Sequence, residues 1–304
     1  MLAILAPGQG AQRQGFLADW LSLPGFGQRL AALGDAAGTD LIAAGTTMSD
    51  ADISDTSVAQ PLIVGAGLAT LSELGVDAGV VAYAGHSVGE FTVAAAAGVL
   101  TPDAAMRLIA VRGSEMAAAS AAEPSGMAAV LGGDESEVLA AIGTAGCVAA
   151  NFNGAGQIVA AGPTAAIDRL VAEPPVGARV RPLPVAGAFH TDLMASARSA
   201  LAAAARDCPT ADCDPPVLSN RDGAALTRGA EVLTRLVDQV CLPVRWDACM
   251  QTLATLAVTA VVELPPAGTL TAMVRRAMPG IEVVALRTPD DLPAARELAL
   301  VSVP

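Results

Sequence analysis

A serine flanked by glycines lies at residues 85–89, where the sequence reads Gly85-His86-Ser87-Val88-Gly89. This G-x-S-x-G spacing is typical of a nucleophile elbow, a sharp turn between a strand and a helix that exposes the serine hydroxyl. Glycines allow close backbone approach, and the N-terminus of the following helix favours negative charge. A buried strand should precede this motif and a helical pattern follows it. This context favours a nucleophilic Ser87 over an ordinary turn.

A serine nucleophile needs a neighbouring base, and the chain offers few candidates. It contains 2 histidines, and its 17 Lys+Arg residues are all arginines, so no lysine can take this role. His86 adjoins Ser87 and would point to the other side of a tight turn. His190 follows a segment of small residues and is therefore the predicted general base.

Arg112 is the third residue that suggests chemistry, because it falls in the apolar stripe of a predicted helix. That stripe consists of Ala105, Leu108, Ile109 and Met116. A guanidinium that faces the core is unfavourable unless it meets an anion. The anion is either the carboxylate of Glu115 on the next turn or a substrate carboxylate held by two hydrogen bonds. The residues alone favour neither.

The elements around these residues predict an α/β fold. Apolar runs over residues 1–6 and 80–84 have the length and composition of buried strands. A helix is predicted from about Val88 to near Gly98. A second helix should begin at Pro102, with Thr101 as its N-cap. Strand, tight turn and helix in succession favour a parallel sheet covered by helices.

A glycine-rich loop, Gly8-Gln9-Gly10-Ala11-Gln12, follows the first strand. It begins like a dinucleotide-binding fingerprint, but Arg13 stands where the third glycine belongs, so that interpretation is poor. If the loop lies beside the elbow, its backbone N–H groups can contribute to an oxyanion hole.

The pattern changes between Pro124 and Pro184. The predicted elements there are a strand at 127–131, a helix at 135–142, strands at 147–150 and 158–161, a helix at 164–172 and a strand at 178–183. This βαββαβ order is that of a split ferredoxin-like unit. We therefore predict a small domain, 125–184, inserted into a large α/β domain that is formed by residues 1–124 and 185–304.

Length and composition suit this organisation. The 304 residues are 53% hydrophobic but only 3% aromatic, so Ala, Val and Leu must provide most of the packing of a compact protein. A net charge of -13 and the lack of a basic run argue against nucleic acid as a partner. Without lysine, Schiff-base, pyridoxal-phosphate and P-loop chemistry are excluded.

Metal, redox and membrane roles find little support in the sequence. The 5 cysteines are odd in number and their spacings match no zinc or redox pattern, so we expect free thiols in a reducing compartment. The N-terminus lacks the features of a signal peptide, and no apolar stretch reaches the ~18 residues that a membrane span needs. We expect a cytoplasmic protein.

Together, the motifs resemble those of the malonyl-CoA:acyl carrier protein transacylases of fatty acid and polyketide synthesis, over nearly the whole chain. Residues 8–12 resemble the N-terminal GQGSQ-type loop of that family, and residues 85–90 resemble its GHSxGE elbow. The other matching segments are Arg112-Gly113, Asn151-Phe152-Asn153, Gly156-Gln157, Gly187-Ala188-Phe189-His190 and Pro243-Val244-Arg245-Trp246. Motifs of these kinds in this order are highly specific.

The resemblance implies a role for each residue of the reacting centre. Ser87 would be the nucleophile and His190 the base. The backbone N–H groups of Gln9 and Val88 would form the oxyanion hole. In place of an acidic side chain, the backbone carbonyl of Gln239 would orient the imidazole.

The resemblance also implies which residues choose the substrate. Arg112 would bind the free carboxylate of the malonyl group. Phe189 matches the residue that accompanies malonyl selection in related polyketide acyltransferases, since its ring would crowd a methyl branch. Gln60, Asn153 and Gln157 match positions that line the site or the CoA channel.

The implied fold is a hydrolase-like α/β domain with a ferredoxin-like insertion. The implied reaction is ping-pong transfer of malonyl from malonyl-CoA, through a Ser87 ester, to the phosphopantetheine thiol of acyl carrier protein, with no metal or redox cofactor. The family leads us to expect a monomer. Because carrier proteins are usually acidic, as this chain is, docking would need a local basic patch. The candidates, which also fit solvated surface charges, are Arg179, Arg181, Arg275 and Arg276.

Three other functions remain open at this point. A serine hydrolase such as a thioesterase would use the same Ser87 and His190, but it would not need Arg112 in the core stripe. An acyltransferase for a different extender unit is disfavoured by Phe189. A carrier-protein binder without activity would need no nucleophile.

Overall fold

The computed structural model describes residues 1–76, 79–185 and 187–301. In chain order, its strands are β1 Leu2–Ala6, β2 Val80–Gly85, β3 Ser125–Gly132, β4 Val148–Gly154, β5 Gln157–Pro163, β6 Ala178–Pro182, β7 Val217–Leu218, β8 Ala225–Leu226, β9 Val244–Arg245, β10 Ala260–Glu263 and β11 Glu282–Ala285. Its helices are α1 Phe26–Ala37, α2 Leu41–Thr46, α3 Thr56–Leu74, α4 Gly89–Ala96, α5 Pro102–Ala122, α6 Glu135–Thr144, α7 Thr164–Ala172, α8 Ala195–Ala205, α9 Gly229–Asp238, α10 Trp246–Thr255, α11 Thr269–Ala277 and α12 Leu292–Val301. Strands and helices thus mix in an α/β fold.

The first sheet has the order β11-β10-β1-β2-β7-β8, and its strands are parallel except for the edge strand β8. Strand β1 lies inside the sheet and is apolar at every position because both faces are covered. Leu2 and Ile4 pack into one hydrophobic cluster with α3 and α5, whereas Ala3 and Leu5 pack into a second cluster with α10 and α11. The predicted strands at 1–6 and 80–84 are confirmed; β7 and β8, of two residues each, were not predicted.

The carboxyl ends of β1 and β2 meet at one edge of this sheet. Ala6 is aligned with Gly85, and the N–H of His86 donates to the carbonyl of Ala6 at 3.0 Å. The glycine-rich loop after β1 and the elbow after β2 therefore emerge side by side, as parallel pairing requires. Helix α4 begins at Gly89, one residue after the predicted start.

Helix α5 also begins where the sequence predicts. Pro102 is its first residue, and the hydroxyl of Thr101 accepts a hydrogen bond from the N–H of Ala104 at 3.2 Å. Arg112, which lies between Ile109 and Met116 in the apolar stripe, is 1% exposed. The stripe residues are buried as expected, so this helix turns one long apolar face, together with a single charge, toward the core.

The second sheet has the order β6-β3-β5-β4-β9. Strands β3 to β6 pair antiparallel, and α6 and α7 cover one face with a separate hydrophobic cluster. The six elements predicted between 125 and 184 are all present, and α7 has the predicted bounds. Strand β9, which pairs parallel with β4, was not predicted. Two residues carry too little periodic signal for a strand prediction.

Helix α3 corrects one expectation. We expected no apolar stretch of membrane-spanning length, but α3 has 19 residues and a mean hydropathy of 1.2, and so meets that length and composition. In the fold, 72% of its apolar window is buried, and the helix packs against α5 and α1. It is long and apolar because it is surrounded by other helices on nearly all sides.

Candidate active site

The turn between β2 and α4 holds Ser87 in an unfavourable backbone conformation. Its φ is 51°, in the left-handed region that side chains other than glycine rarely adopt. A Cβ on Gly85 would lie 2.1 Å from the carbonyl carbon of Gly89, and a Cβ on Gly89 would lie 2.2 Å from the carbonyl oxygen of Ala6. Only glycine fits at either position. The spacing of the motif thus follows from the sharpness of this turn.

Asn220, which follows β7, forms two hydrogen bonds with the backbone of the strained turn. Its Oδ1 accepts the N–H of Ser87 at 2.7 Å, and its Nδ2 donates to the carbonyl of Gly85 at 2.7 Å. The side chain is fully buried. Sequence reasoning missed this residue, because one asparagine in an irregular segment carries no local signal of its role.

The hydroxyl of Ser87 contacts the imidazole of His190, with Oγ and Nε2 2.8 Å apart. The other ring nitrogen, Nδ1, lies 2.9 Å from the backbone carbonyl of Gln239. A carbonyl can only accept, so Nδ1 carries the proton and Nε2 presents its lone pair to the serine hydroxyl. His190 itself has a φ of 62°. Two strained residues therefore face each other across 2.8 Å.

Burial and, to a smaller extent, the charge of Arg112 lower the pKa of His190 to about 3, while the hydrogen bond to the Gln239 carbonyl opposes the shift. His190 is 4% exposed. The imidazole is consequently neutral over the whole physiological range. A neutral imidazole that accepts from a serine hydroxyl is in the state that a general base requires.

Arg112 reaches the same point from α5. Its Nη2 lies 3.4 Å from Oγ of Ser87, and its Nη groups donate to Oε1 of Gln60 at 2.6 Å and to Oε1 of Gln239 at 2.8 Å. Among the described residues, no ion pair joins Arg112 to Glu115 or to any other carboxylate, and Nε has no hydrogen-bond partner. Two neutral amides hold the guanidinium in place but leave its charge unneutralised, which suits a site for an anion.

Glu90 completes a buried polar network beneath the turn. Its Oε1 accepts the N–H of Asn220 at 2.7 Å, and its Oε2 accepts Nε2 of Gln239 in a short hydrogen bond. The same Nε2 donates to the carbonyl of Ser87 at 3.0 Å. Burial raises the pKa of Glu90 to about 8, against these hydrogen bonds and the charge of Arg112. Glu90 is the last residue of the elbow segment 85–90, and sequence analysis gave no role for it.

His86 points away from Ser87, as its position in a tight turn predicts. Its Nε2 lies 3.0 Å from Oδ1 of Asn153, and its ring meets the edge of Trp246 at a centroid distance of 5.7 Å. Asn153 is thereby fixed in the wall of the cavity in front of Ser87.

A cavity of about 500 Å³ opens in front of Ser87. Its wall includes nine of the ten predicted site residues, Gln9, Gln60, Ser87, Val88, Arg112, Asn153, Gln157, Phe189 and His190, together with residues of the second sheet and α11. The tenth, Gln239, lies behind His190 and supplies its carbonyl. Within the described ranges, neither the N–H of Gln9 nor that of Val88 has a hydrogen-bond partner. Both groups remain available to an oxyanion.

Metal-binding side chains are not grouped in the described part of the chain. No cluster of three or more His, Cys, Asp or Glu residues is placed to hold a metal ion there. All five cysteines are free. Burial raises the pKa of Cys249, the one nearest to the network beneath Ser87, so its thiol is protonated.

An α/β fold with a serine at a strand–helix elbow and a neutral imidazole on its hydroxyl is typical of enzymes that transfer or hydrolyse acyl groups. The buried guanidinium beside the serine adds a place for an anionic acyl group. Comparison with known proteins agrees with this class. Residues 5–289 match the family model described as "Acyl transferase domain".

The chain belongs to this acyl transferase family, in the branch of the malonyl CoA-acyl carrier protein transacylases. It is 52% identical over 296 residues to the "Malonyl CoA-acyl carrier protein transacylase" of Mycobacterium tuberculosis, covering 96% of this chain and 98% of the relative. The crystal structure of MCAT from Mycobacterium tuberculosis superposes with a TM-score of 0.93 at 50% identity, covering 97% of this chain and 99% of that one. A malonyl-transacylase solved in complex with a type II PKS acyl-carrier protein gives a TM-score of 0.89 at 28% identity, covering 97% and 99%.

Proposed function

We propose that this protein transfers the malonyl group of malonyl-CoA to the phosphopantetheine thiol of acyl carrier protein, through an ester on Ser87. One observation carries the proposal: the hydroxyl of Ser87 lies 2.8 Å from a neutral imidazole and 3.4 Å from a buried guanidinium. The first contact activates a nucleophile, and the second selects an acyl group that ends in a carboxylate. The relatives that are named transacylases support the same reaction.

In the first half-reaction, Oγ of Ser87 attacks the thioester carbonyl while Nε2 of His190 accepts its proton. The N–H groups of Gln9 and Val88 stabilise the oxyanion of the tetrahedral intermediate. The C–S bond then breaks, and the imidazolium returns the proton to the CoA sulfur. The carbonyl of Gln239 holds the ring in the tautomer that allows both transfers, so no acidic side chain is needed.

In the second half-reaction, the thiol of the carrier protein replaces CoA. His190 accepts the thiol proton, the thiolate attacks the malonyl ester, and Oγ of Ser87 leaves with the proton from the imidazolium. Arg112 holds the malonyl carboxylate throughout. The reaction uses no metal and no redox cofactor.

Gln60, Asn153 and Gln157 would line the path of the acyl group and of CoA. Gln60 acts through its hydrogen bond to Arg112, and Asn153 through its contact with His86. Residues 1–124 and 185–304 would form the catalytic domain, and 125–184 the inserted ferredoxin-like domain. We also propose a monomer that works in the cytoplasm and supplies malonyl units for fatty acid or polyketide synthesis.

Intact-protein mass spectrometry after brief mixing with malonyl-CoA tests this function. We expect the mass to rise by one malonyl group and to return to its first value when phosphopantetheinylated carrier protein is added, with the malonyl group recovered on the carrier. A protein that loses the malonyl group to water at the same rate with and without carrier is a hydrolase instead.

Phe189 provides a test of substrate choice. Phe189 is 7% exposed, lies in the cavity wall and directly precedes His190 in the chain. We expect the wild type to favour malonyl-CoA, and Phe189→Ala to raise the kcat/KM ratio of methylmalonyl-CoA to malonyl-CoA by about tenfold, since a methyl group discriminated by packing is worth ~1–3 kcal/mol. Steady-state kinetics with both thioesters measures this ratio. Equal kcat/KM values for the two substrates in the wild type would refute the role.

The basic patch for the carrier protein is proposed on the wall of the cavity. Arg179 and Arg181 lie on edge strand β6, in register across β3 with Gln157 and the cavity-lining Val159 of β5. Directly paired residues of antiparallel strands share a face, so these arginines point to the cavity side. Arg276 at the end of α11 reaches Gln157 at 3.5 Å. All of these arginines are exposed.

Charge reversal tests this surface. We expect Arg179→Glu, Arg181→Glu, Arg275→Glu or Arg276→Glu to raise the KM for carrier protein by about tenfold at low salt, because a complementary patch becomes repulsive. The KM for malonyl-CoA serves as the internal reference. Arg206→Glu, the same charge change at an exposed position after α8, should leave both constants unchanged. If the four variants match this control, docking occurs elsewhere.

The low pKa of His190 predicts that the acylation rate depends unusually little on pH on the acid side of neutrality. Only the neutral imidazole is active, and a pKa of about 3 keeps it neutral down to pH 5. We therefore expect the acylation rate to change by less than about twofold between pH 7 and pH 5, where an imidazole with the ordinary pKa would lose roughly 25-fold. A malonyl thioester of N-acetylcysteamine avoids the titrating phosphate of CoA. A rate that falls with an apparent pKa near 6.5 would contradict this prediction.

A further inference from the structure

Arg112 raises a question of charge balance. It is a cation with 1% exposure, and in the described part of the chain its contacts are two amides, one hydroxyl and the ring of Phe91. Within that part, neutral contacts occupy both Nη groups, while Nε has no partner, and these contacts do not neutralise the charge. A buried cation without a counter-charge is strongly unfavourable. A negative group close by would offset this cost in the free enzyme.

Glu90 is the acid that the structure connects to Arg112, through the side-chain amide of Gln239. Nη2 of Arg112 donates to Oε1 of Gln239 at 2.8 Å, and Nε2 of the same amide donates to Oε2 of Glu90. The second carboxyl oxygen accepts the N–H of Asn220 at 2.7 Å. Two oxygens that each accept an N–H are the pattern of an ionised carboxylate, which has no proton to donate.

Other charged groups near Glu90 do not replace it in this role. The groups that face it are Arg112 from α5, Arg235 from α9 and Cys249 from α10. Arg235 is neutralised by Asp222 at 2.7 Å and by Glu231 at 3.0 Å. Strands β1 and β2 carry no charged residue, and the one acid of α3, Glu73, pairs with Arg29.

We propose that Glu90 is the internal counter-ion of Arg112 and that the carboxylate of the acyl group displaces this charge, so that binding of an anionic acyl group is coupled to uptake of a proton by Glu90. The inference rests on the proposed binding of malonyl at Arg112. With two carboxylates around one buried cation, the second is no longer compensated, and the amide-linked one is neutralised by protonation. Glu90 is then a specificity-determining residue that never touches the substrate.

The energetic state of Glu90 suits this exchange. Burial raises its pKa to about 8, so a modest change in the local field moves the carboxyl between its two forms near neutral pH. His190, the other titratable group beside Arg112, has its pKa lowered to about 3 and stays neutral at that pH. A proton taken up at pH 8 therefore goes to Glu90.

Calorimetry on the full-length Ser87→Ala protein tests the coupling, since this variant binds malonyl-CoA without reacting. Titrations at pH 8 in two buffers of different ionisation enthalpy measure the protons taken up per ligand. We expect about half a proton for malonyl-CoA and none for acetyl-CoA, which lacks the carboxylate. Adding Glu90→Gln should abolish the uptake, whereas adding Glu115→Gln, on the same helix as Arg112, should not change it.

A second measurement needs no change at Glu90. Above pH 8, the affinity of Ser87→Ala for malonyl-CoA relative to acetyl-CoA should fall toward tenfold per pH unit. A pH-independent ratio, equal uptake with both ligands, or uptake that survives Glu90→Gln would overturn the proposal. Adding Arg112→Ala to Ser87→Ala distinguishes an error in the carboxylate site from an error in the role of Glu90. If it leaves malonyl affinity unchanged, the carboxylate site itself is wrong; if it weakens malonyl binding but Ser87→Ala with Arg112 intact takes up no proton, only the role of Glu90 is wrong.

Discussion

Replacing Ser87 with alanine should reduce malonyl transfer to carrier protein by about 10⁴-fold or more, because the acyl group loses the oxygen that carries it. The change removes one atom and keeps the Cβ, so the strain of a φ of 51° is the same in both proteins. Within the described part of the chain, the hydroxyl forms hydrogen bonds only with His190 and Arg112, and the backbone hydrogen bond to Asn220 remains. Loss of activity without loss of fold is therefore the expected result.

Single-turnover transfer of labelled malonyl to the carrier protein measures the effect, and a thermal melt confirms that Ser87→Ala is folded. Ser199→Ala, an exposed serine of α8 whose hydroxyl bonds to a backbone carbonyl, is the matched control and should transfer at the wild-type rate. A Ser87→Ala protein that keeps more than about 1% of wild-type transfer would exclude an obligatory ester on this residue.

Replacing Arg112 with alanine should change which acyl group the enzyme accepts. We expect kcat/KM for malonyl-CoA to fall by about 150- to 5,000-fold, since an ion left without its buried partner costs about 3–5 kcal/mol. Acetyl-CoA carries no such charge, and its kcat/KM should fall far less. The preference for malonyl over acetyl should therefore shrink by nearly the whole effect.

The ratio of the two substrates is the decisive measurement, because it does not depend on the folded fraction. Arg112→Ala leaves the amide oxygens of Gln60 and Gln239 without their donor, which should cost about 1–3 kcal/mol of stability at each. Arg112→Lys keeps the charge but not the planar fork, so we expect an intermediate ratio. Arg107→Ala, at an exposed position of the same helix, should leave the ratio unchanged. Equal losses for both substrates in Arg112→Ala would contradict a carboxylate site.

The local part of this site was predictable from the sequence because it depends on short-range sterics. The glycines around Ser87 are required because an added Cβ would lie 2.1 or 2.2 Å from backbone atoms of the turn and of the neighbouring strand. They therefore form a recognisable spacing in the sequence. Arg112 stood out because helical periodicity assigns every fourth residue or so to one face. The six elements between 125 and 184 were predictable for a related reason: each has its own apolar period and its own turn residues.

The family resemblance added residues that local reasoning did not identify. The carbonyl of Gln239 and the N–H groups of Gln9 and Val88 are backbone atoms, and no side-chain pattern reports on them. The structure places all three around Ser87 or His190. The short strands β7, β8 and β9 were missed because pairing with distant partners, and not their own composition, makes them strands.

The sequence by itself determined the elbow with Ser87, the two histidines and the single candidate base among them, the core-facing guanidinium on α5, and the order of the six elements between 125 and 184. Each of these is a property of residues close together along the chain. Only the tertiary structure decided what supports them. Asn220 forms hydrogen bonds with Ser87 and Glu90, which lie 133 and 130 positions away in the chain. Gln239 forms one with Glu90, 149 positions away. Contacts at such separations depend on how the sheet brings its strand ends together, and so the buried network that connects Arg112 to Glu90 exists only in the folded chain.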